Sequence, residues 1–359
     1  MRQASCTRAL VSCGGAVRVD RGNSTVKALG EAWFPEKRPF FLEGVQLFST
    51  PLQAVYTRTI TSPRWGARAT GKTHGVDYTV LVTDDRGGGL AVIPGPLDSN
   101  TADQPAESTV TIARVKRTIG QHFVGLLMTD RESRDGQVFN RLIGPDFLWR
   151  PSSADTIALQ LLLTTSTAPS RTDLFDDWHG QHLSGNGSFL AWSHNTQHLD
   201  SQIGAKALGE GFRADTGFIP QVGYKSANAT GGWTVRPDGL VRRQRTFVDI
   251  ERLIDRDGAL IQQTADIGIG MDTRLGGFIQ LKYLDDRFQT GGQVLPRRRV
   301  GYTVRFNPGR TLTQVQVDGT AGEEVDFTNS RRAHGATINA NATLVPNDRL
   351  EFSMVGNRR

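Results

Sequence analysis

Ile279-Gln280-Leu281-Lys282-Tyr283 and Tyr302-Thr303-Val304-Arg305-Phe306 decide the fold class. In each, apolar and polar residues alternate one by one, so an extended chain presents one apolar and one polar face. The same period recurs along the chain. Ile157, Leu159, Leu161 and Leu163 oppose Ala158, Gln160 and Thr164. Ile267, Ile269 and Met271 oppose Asp266, Gly268 and Asp272, and Ile338, Ala340, Ala342 and Leu344 oppose Asn339, Asn341 and Thr343. Tyr78, Val80 and Val82 carry the pattern back towards Trp65. Helical spacing with caps is found nowhere. Polar breaks at Asn307-Pro308-Gly309, Asp318-Gly319 and Pro346-Asn347-Asp348 have the composition of hairpin turns. Longer loops are expected at 86–106 and 168–186. The chain reads as all-β, an antiparallel up-and-down meander.

What the apolar face meets is a separate question. A chain of 359 residues suffices for one large barrel or two ordinary domains. It has no run of eighteen apolar residues, which excludes a transmembrane helix but leaves strands that cross a membrane in alternation. A propeller would repeat about every forty residues, and no such repeat is present. A soluble sandwich would bury the apolar face between two sheets. Here the other face carries Thr, Asn, Gln, Asp, Lys and Arg, as a water-filled lumen does. The expectation is a transmembrane β-barrel, complete or incomplete, of roughly sixteen strands, many approaching the length that a tilted membrane strand needs.

The formal charge is +6, carried largely by arginine, often paired, as at Arg242-Arg243, Arg297-Arg298-Arg299, Arg331-Arg332 and Arg358-Arg359. Scattered pairs without a basic helix or an aromatic-basic motif argue against nucleic acid. At strand ends they suit outer-membrane lipid headgroups and lipopolysaccharide phosphates. The two cysteines, Cys6 and Cys13, both precede residue 14, so no disulfide framework or cysteine metal site holds the body together. Leu10-Val11-Ser12-Cys13 has the look of a lipoprotein signal, but Arg8 interrupts the apolar stretch such a signal needs. Residues 1–30 are irregular and read as a non-native start. Residues 31–63 read as a docking segment, and 64–359 as barrel strands cut short at the C-terminus.

The segment Trp33-Phe34-Pro35-Glu36-Lys37-Arg38-Pro39-Phe40-Phe41-Leu42-Glu43-Gly44 resembles the opening signature of a bacterial family of unknown function. Gly211-Phe212, Thr216-Gly217-Phe218-Ile219-Pro220, Gly223-Tyr224 and Thr111-Ile112-Ala113-Arg114-Val115-Lys116-Arg117 are similar to later parts of it. The resemblance implies an outer-membrane β-barrel that follows a domain similar to family-nine carbohydrate-binding modules. Nothing here matches that domain, so contact with glycans or envelope proteins would fall to a missing part. The ending Asn357-Arg358-Arg359 also departs from the aromatic terminus common in such barrels. In the signature, Phe34, Pro35, Glu36, Lys37, Arg38, Pro39, Phe40, Phe41, Leu42, Glu43 and Gly44 are given a structural or docking role. Phe34–Gly44 is expected to be ordered and non-helical, packed against the barrel wall or mouth, with Phe40, Phe41 and Leu42 buried and Glu36, Lys37, Arg38 and Glu43 paired with lumen charges.

Candidate chemistry is sparse. Gly66-Ala67-Arg68-Ala69-Thr70-Gly71-Lys72-Thr73 satisfies the phosphate-loop pattern. The flanks contradict it: Pro63 precedes it, and Gly75-Val76-Asp77-Tyr78-Thr79-Val80 continues as a strand where a helix is required. A hairpin is expected instead. His179, His182, His194 and His198 suggest a metal site. Read as a strand, Gly187–His194 spans roughly 26 Å and separates the first pair from the second. The acidic pairs Asp84-Asp85, Asp176-Asp177 and Asp285-Asp286 are strand neighbours that point to opposite faces, unsuited to paired-carboxylate hydrolysis. No G-x-S-x-G motif is present. The expected function is an outer-membrane barrel acting as surface anchor or pore, without cofactor, metal or catalytic residue. The alternative is a soluble or periplasmic β-rich hydrolase acting on carbohydrate.

Overall fold

The computed structural model describes residues 36–88, 90–97, 99–103, 106–172, 178–274 and 276–358. Residues 1–30, and Trp33, Phe34 and Pro35 of the signature, lie outside them.

Alternation becomes pairing. The strands are β1 (Pro63–Thr73), β2 (Val76–Asp85), β3 (Leu90–Pro94), β4 (Ser99–Asp103), β5 (Ser108–Ile119), β6 (His122–Ser133), β7 (Phe139–Trp149), β8 (Asp155–Thr167) and β9 (His182–Asn195). They continue as β10 (Leu199–Leu208), β11 (Tyr224–Val235), β12 (Val241–Asp255), β13 (Leu260–Thr273), β14 (Phe278–Thr290), β15 (Gln293–Phe306), β16 (Leu312–Asp326), β17 (Arg331–Asn347) and β18 (Leu350–Arg358). Sixteen of them form one antiparallel meander in the order β1-β2-β5-β6 and onwards in sequence to β18. The strand number and the up-and-down order agree with the sequence reading.

Three details differ from it. The stretch 86–106 is not all loop, because β3 and β4 pair as a hairpin from Leu90↔Asp103 to Pro94↔Ser99. The expected loop 168–186 is shorter, since β9 already begins at His182. Asp318-Gly319 is no turn but lies within β16, where Gly319 pairs with Tyr302 and Ile338. A side chain on Gly319 would come within 2.0 Å of the Thr337 carbonyl oxygen on β17 and 2.8 Å of the Tyr302 hydroxyl, so only glycine lets the neighbouring strand approach there. True turns use left-handed residues: His74-Gly75 closes β1–β2 with φ of 46° and 79°, the backbone of a two-residue hairpin loop.

The chain divides into two compact units, one of 36–148, 158–189 and 209–222, the other of 149–157, 190–208 and 223–358. In the first unit the buried face mixes apolar and polar residues. β5 buries Ser108, Val110, Ile112 and Arg114, and β6 buries Leu127, Thr129, Arg131 and Ser133. On the opposite face Val115, Val124, Leu126, Met128, Ile143, Phe147, Leu161 and Leu163 are exposed. Large apolar side chains therefore stand on both faces of these strands.

The buried face of this unit is covered by the docking segment, described from residue 36, and by 209–222, which contribute Phe41, Phe48, Leu52, Ala54, Ile60, Phe212 and Val222 to the core. The segment is not wholly non-helical. Pro39–Leu42 forms one helical turn, α1. Proline is excluded from helix interiors, but at the first helical position its missing N–H has no partner to lose. Arg38, before the proline, is extended at φ −80° and ψ 122°, as proline requires of its neighbour. Nor are all three apolar residues buried: Phe41 is, while Phe40 and Leu42 are 38% and 42% exposed. One turn of helix cannot aim three successive side chains the same way.

Candidate functional site

The polar face of the first unit is built of ion pairs that tie strands to the covering segment. Arg114 on β5 reaches Asp146 on β7 across the intervening β6, through two hydrogen bonds, one of them 2.6 Å. The crossing runs over Gly125, where a Cβ would sit 2.6 Å from Arg114 Nη2 and from Asp146 Oδ1. Both charged side chains are almost fully buried, and Arg114 Nε also donates to Leu47 O of the segment at 3.1 Å. Asp85 binds Arg131 at 3.0 Å and accepts the backbone N–H groups of Thr61 and Ser62. Gln160 Oε1 accepts from Leu52 N at 2.7 Å, and the Thr216 hydroxyl donates to Ala54 O.

The signature charges serve the segment itself. Glu36 binds Arg38 at 2.8 Å and accepts the Thr57 hydroxyl, while Arg38 donates onward to Thr57 O and Ile60 O. In place of lumen partners, Glu36 and Arg38 have each other, because a single residue separates them. Burial pushes the Glu36 carboxyl up, but the Arg38 side chain and backbone, the Thr57 hydroxyl and the Arg38 charge outweigh it and lower the pKa to about 2. The depressed value stabilises the folded segment above the ordinary carboxyl range, and that contribution is lost as pH falls towards about 2. Arg38 lies over the Phe41 ring at 4.2 Å. Lys37 and Glu43 are exposed, and Gly44 takes the left-handed φ of 58°.

The second unit repeats the Arg–Gly–Asp crossing. Arg245 on β12 reaches Asp200 on β10 over Gly232 of β11, where a Cβ would lie 2.3 Å from Arg245 Nε. Asp286 holds both Arg297 and Arg299 at 2.8 Å. Asp249 and Asp266 stand directly opposite in register on the polar face, the facing carboxylates that no sequence-adjacent pair provides. Asp266 is bound by Lys282 Nζ at 3.3 Å, however, so one of the two carboxylates is already engaged in an ion pair.

The decoys resolve as hairpin and surface. Gly66–Thr73 lies in β1, with Gly71↔Tyr78 and Lys72↔Asp77 in register and Lys72 Nζ 3.2 Å from Asp77. With no helix to aim N–H groups at phosphate, the purified chain is expected not to bind ATP. Saturable ATP binding that Lys72→Ala abolishes would overturn this. His182 contacts the Thr165 and Thr167 hydroxyls, His194 donates to Asp155 at 2.9 Å, and His198 donates to Thr234 O. Among the described residues no three His, Cys, Asp or Glu side chains gather as for a metal ion. Asp176-Asp177 lies outside the described residues. One constellation escaped the sequence reading: Ser152, Asp155 and His194. Both Ser152 and His194 bond to Asp155, so the aspartate is central, and a nucleophilic triad needs the histidine there.

The exposed face is ordered too. In the first unit Val80, Ala113, Met128 and Ile143 form one registered row, and Tyr78, Val115, Leu126 and Pro145 the next. Beyond the first row the face turns charged, with Arg141 bound to Asp130 at 3.1 Å and Glu132 at 2.9 Å. In the second unit Val248, Ile267, Tyr283 and Val300 make one row, and Thr246, Ile269, Leu281 and Tyr302 its neighbour. No family model matches this chain, and no curated protein or solved structure is similar to it at a level that carries an argument.

Proposed function

We propose that the chain is the strand meander of an outer-membrane β-barrel, acting as a surface anchor or pore in the bacterial envelope. The observation that carries this is the outer face of the strands, where large apolar side chains stand exposed in registered rows while the arginine–aspartate pairs lie on the other face. In water, contiguous exposed apolar surface on this scale is rare in soluble monomers. Against hydrocarbon it is favourable, and charges then belong on the lumen side. No helix among the described residues is long and apolar enough to cross a membrane, so strands would have to do it. The resemblance of 33–44 to a family with such a barrel points the same way. The partners on this reading are outer-membrane lipid and lipopolysaccharide, with no nucleic acid.

The test is fractionation of the expressed protein from a bacterium with an outer membrane. It should sediment with outer membranes, and its folded form should migrate differently on unheated and heated gels. Full recovery in the soluble fraction without heat-dependent mobility would sink the reading. Carbohydrate hydrolysis in that fraction, lost in Asp266→Asn, would favour the hydrolase.

A further inference from the structure

A shallow groove of about 360 Å³ lies on the second unit, lined by Thr246, Ile267, Ile269, Leu281, Tyr283 and Val300 around Gly268 and Lys282, whose ammonium group is bound to Asp266. Along β13 from Ile267 the next residue on that face is Ala265, whose small side chain leaves the path open, and then Gln263. Gln263 is flanked in register by Arg252 of β12 and Arg287 of β14. Both arginines are exposed, and the side chains of all three residues make no hydrogen bond or ion pair among the described residues. Between groove and arginines, Asp285 and Arg298 pair in register and hold each other at 3.8 Å. That row is neutral, so the positive charge comes from Arg252 and Arg287. Neighbouring strands are about 4.8 Å apart, which sets the two arginines roughly 10 Å apart at Cα with an amide donor between them. Guanidinium groups converging from both sides suit a phosphate oxyanion. Four residues of strand, roughly 13 Å, separate the Ile267 level from the Gln263 level, so a lipid with its phosphate at Gln263 reaches the groove with its acyl chain, beyond the glycerol.

We propose that this face binds a phospholipid whose headgroup is net anionic, with no cation of its own to compensate the phosphate, the phosphate on Arg252, Gln263 and Arg287 and an acyl chain in the groove at Gly268. The site rests on the membrane reading above. It marks where the hydrocarbon ends on β12–β15.

The experiment places the full chain in phosphatidylcholine vesicles and compares its association with spin-labelled phosphatidylglycerol and spin-labelled phosphatidylcholine. The wild type should prefer the anionic lipid, and Arg252→Gln/Arg287→Gln should lose that preference by roughly fivefold per arginine. Heat-dependent mobility shows whether the variant is folded. The wild type alone gives a second reading, because rising salt should weaken the preference if arginine–phosphate attraction carries it. Ala265→Trp, which blocks the path while keeping both arginines, should also reduce it. Failure of the wild type to insert at all would overturn the barrel reading. Insertion without preference, or a preference that the arginine variant and salt leave intact, would overturn the lipid site alone. So would inorganic phosphate displacing the lipid at equal concentration, which would make it a free-anion site.

Discussion

Arg114→Met is expected to lower the stability of the folded chain by roughly 3 to 5 kcal/mol, because it leaves the Asp146 carboxylate buried without its partner. Both side chains of the pair are at most 3% exposed, so water cannot take over. The pair need not be stabilising against an apolar substitute of similar shape, since removing both charges from water is itself costly. The double variant Arg114→Met/Asp146→Leu should therefore recover most of the loss, short of the bond to Leu47 O. Gly125→Val gives a third reading without touching either charge. Its side chain would enter the space between Arg114 Nη2 and Asp146 Oδ1, and it should cost about as much as the single charge deletion. Urea unfolding of vesicle-inserted protein, followed by the heat-shifted gel band, measures all three. Wild-type stability for both Arg114→Met and Gly125→Val would show that the crossing contributes nothing.

The alternating strands were legible because each is local: a pentapeptide such as Ile279–Tyr283 contains its own face assignment. Turn chemistry was legible where left-handed residues sit at the tip, as at His74-Gly75, and misleading at Asp318-Gly319. There glycine admits the close approach of the Thr337 carbonyl beside the Tyr302 hydroxyl, and composition cannot separate those two uses. The phosphate-loop pattern was dismissed on its flanks, and the hairpin of β1 and β2 agrees.

The polar crossings were not legible. Arg114, Gly125 and Asp146 come together through two registers set by turns that the sequence places only within a few residues. A slip of one residue would move every side chain to the other face. A usable signal does exist: Arg114 shares the parity of Val110 and Ile112, so a charge on the buried face called for a partner. The free arginines at Arg252 and Arg287 are the converse. They share the parity of Val248 and Tyr283, charges on the apolar face at one end of its band, and only register shows that they flank the same glutamine.

Phe41→Asp should weaken assembly far more than Lys72→Ala. Phe41 is 2% exposed, meets Phe40 edge-on at 5.1 Å and lies under Arg38. Truncating a buried phenylalanine costs roughly 3 to 5 kcal/mol, so Phe41→Ala sets the scale for lost packing. Aspartate adds the cost of burying a carboxylate. Arg38 is the nearby cation that could relieve it, but its guanidinium is already held by Glu36, Thr57 O and Ile60 O. Turning it to the new carboxylate would release Glu36 and loosen the segment from Thr57. Lys72 is 71% exposed, and its pair with Asp77 is a surface contact worth at most about 1 kcal/mol. If 36–62 holds the first unit together, the Phe41 variants should refold into vesicles with less heat-shifted band, and Lys72→Ala should match the wild type. The segment's hydrogen bonds to Asp85, Arg114 and Gln160 make that loss propagate, since each leaves a buried polar group of the strands without its partner. Equal assembly and equal heat resistance of Phe41→Asp and Lys72→Ala would mean that the segment only lies on the strands and does not stabilise them.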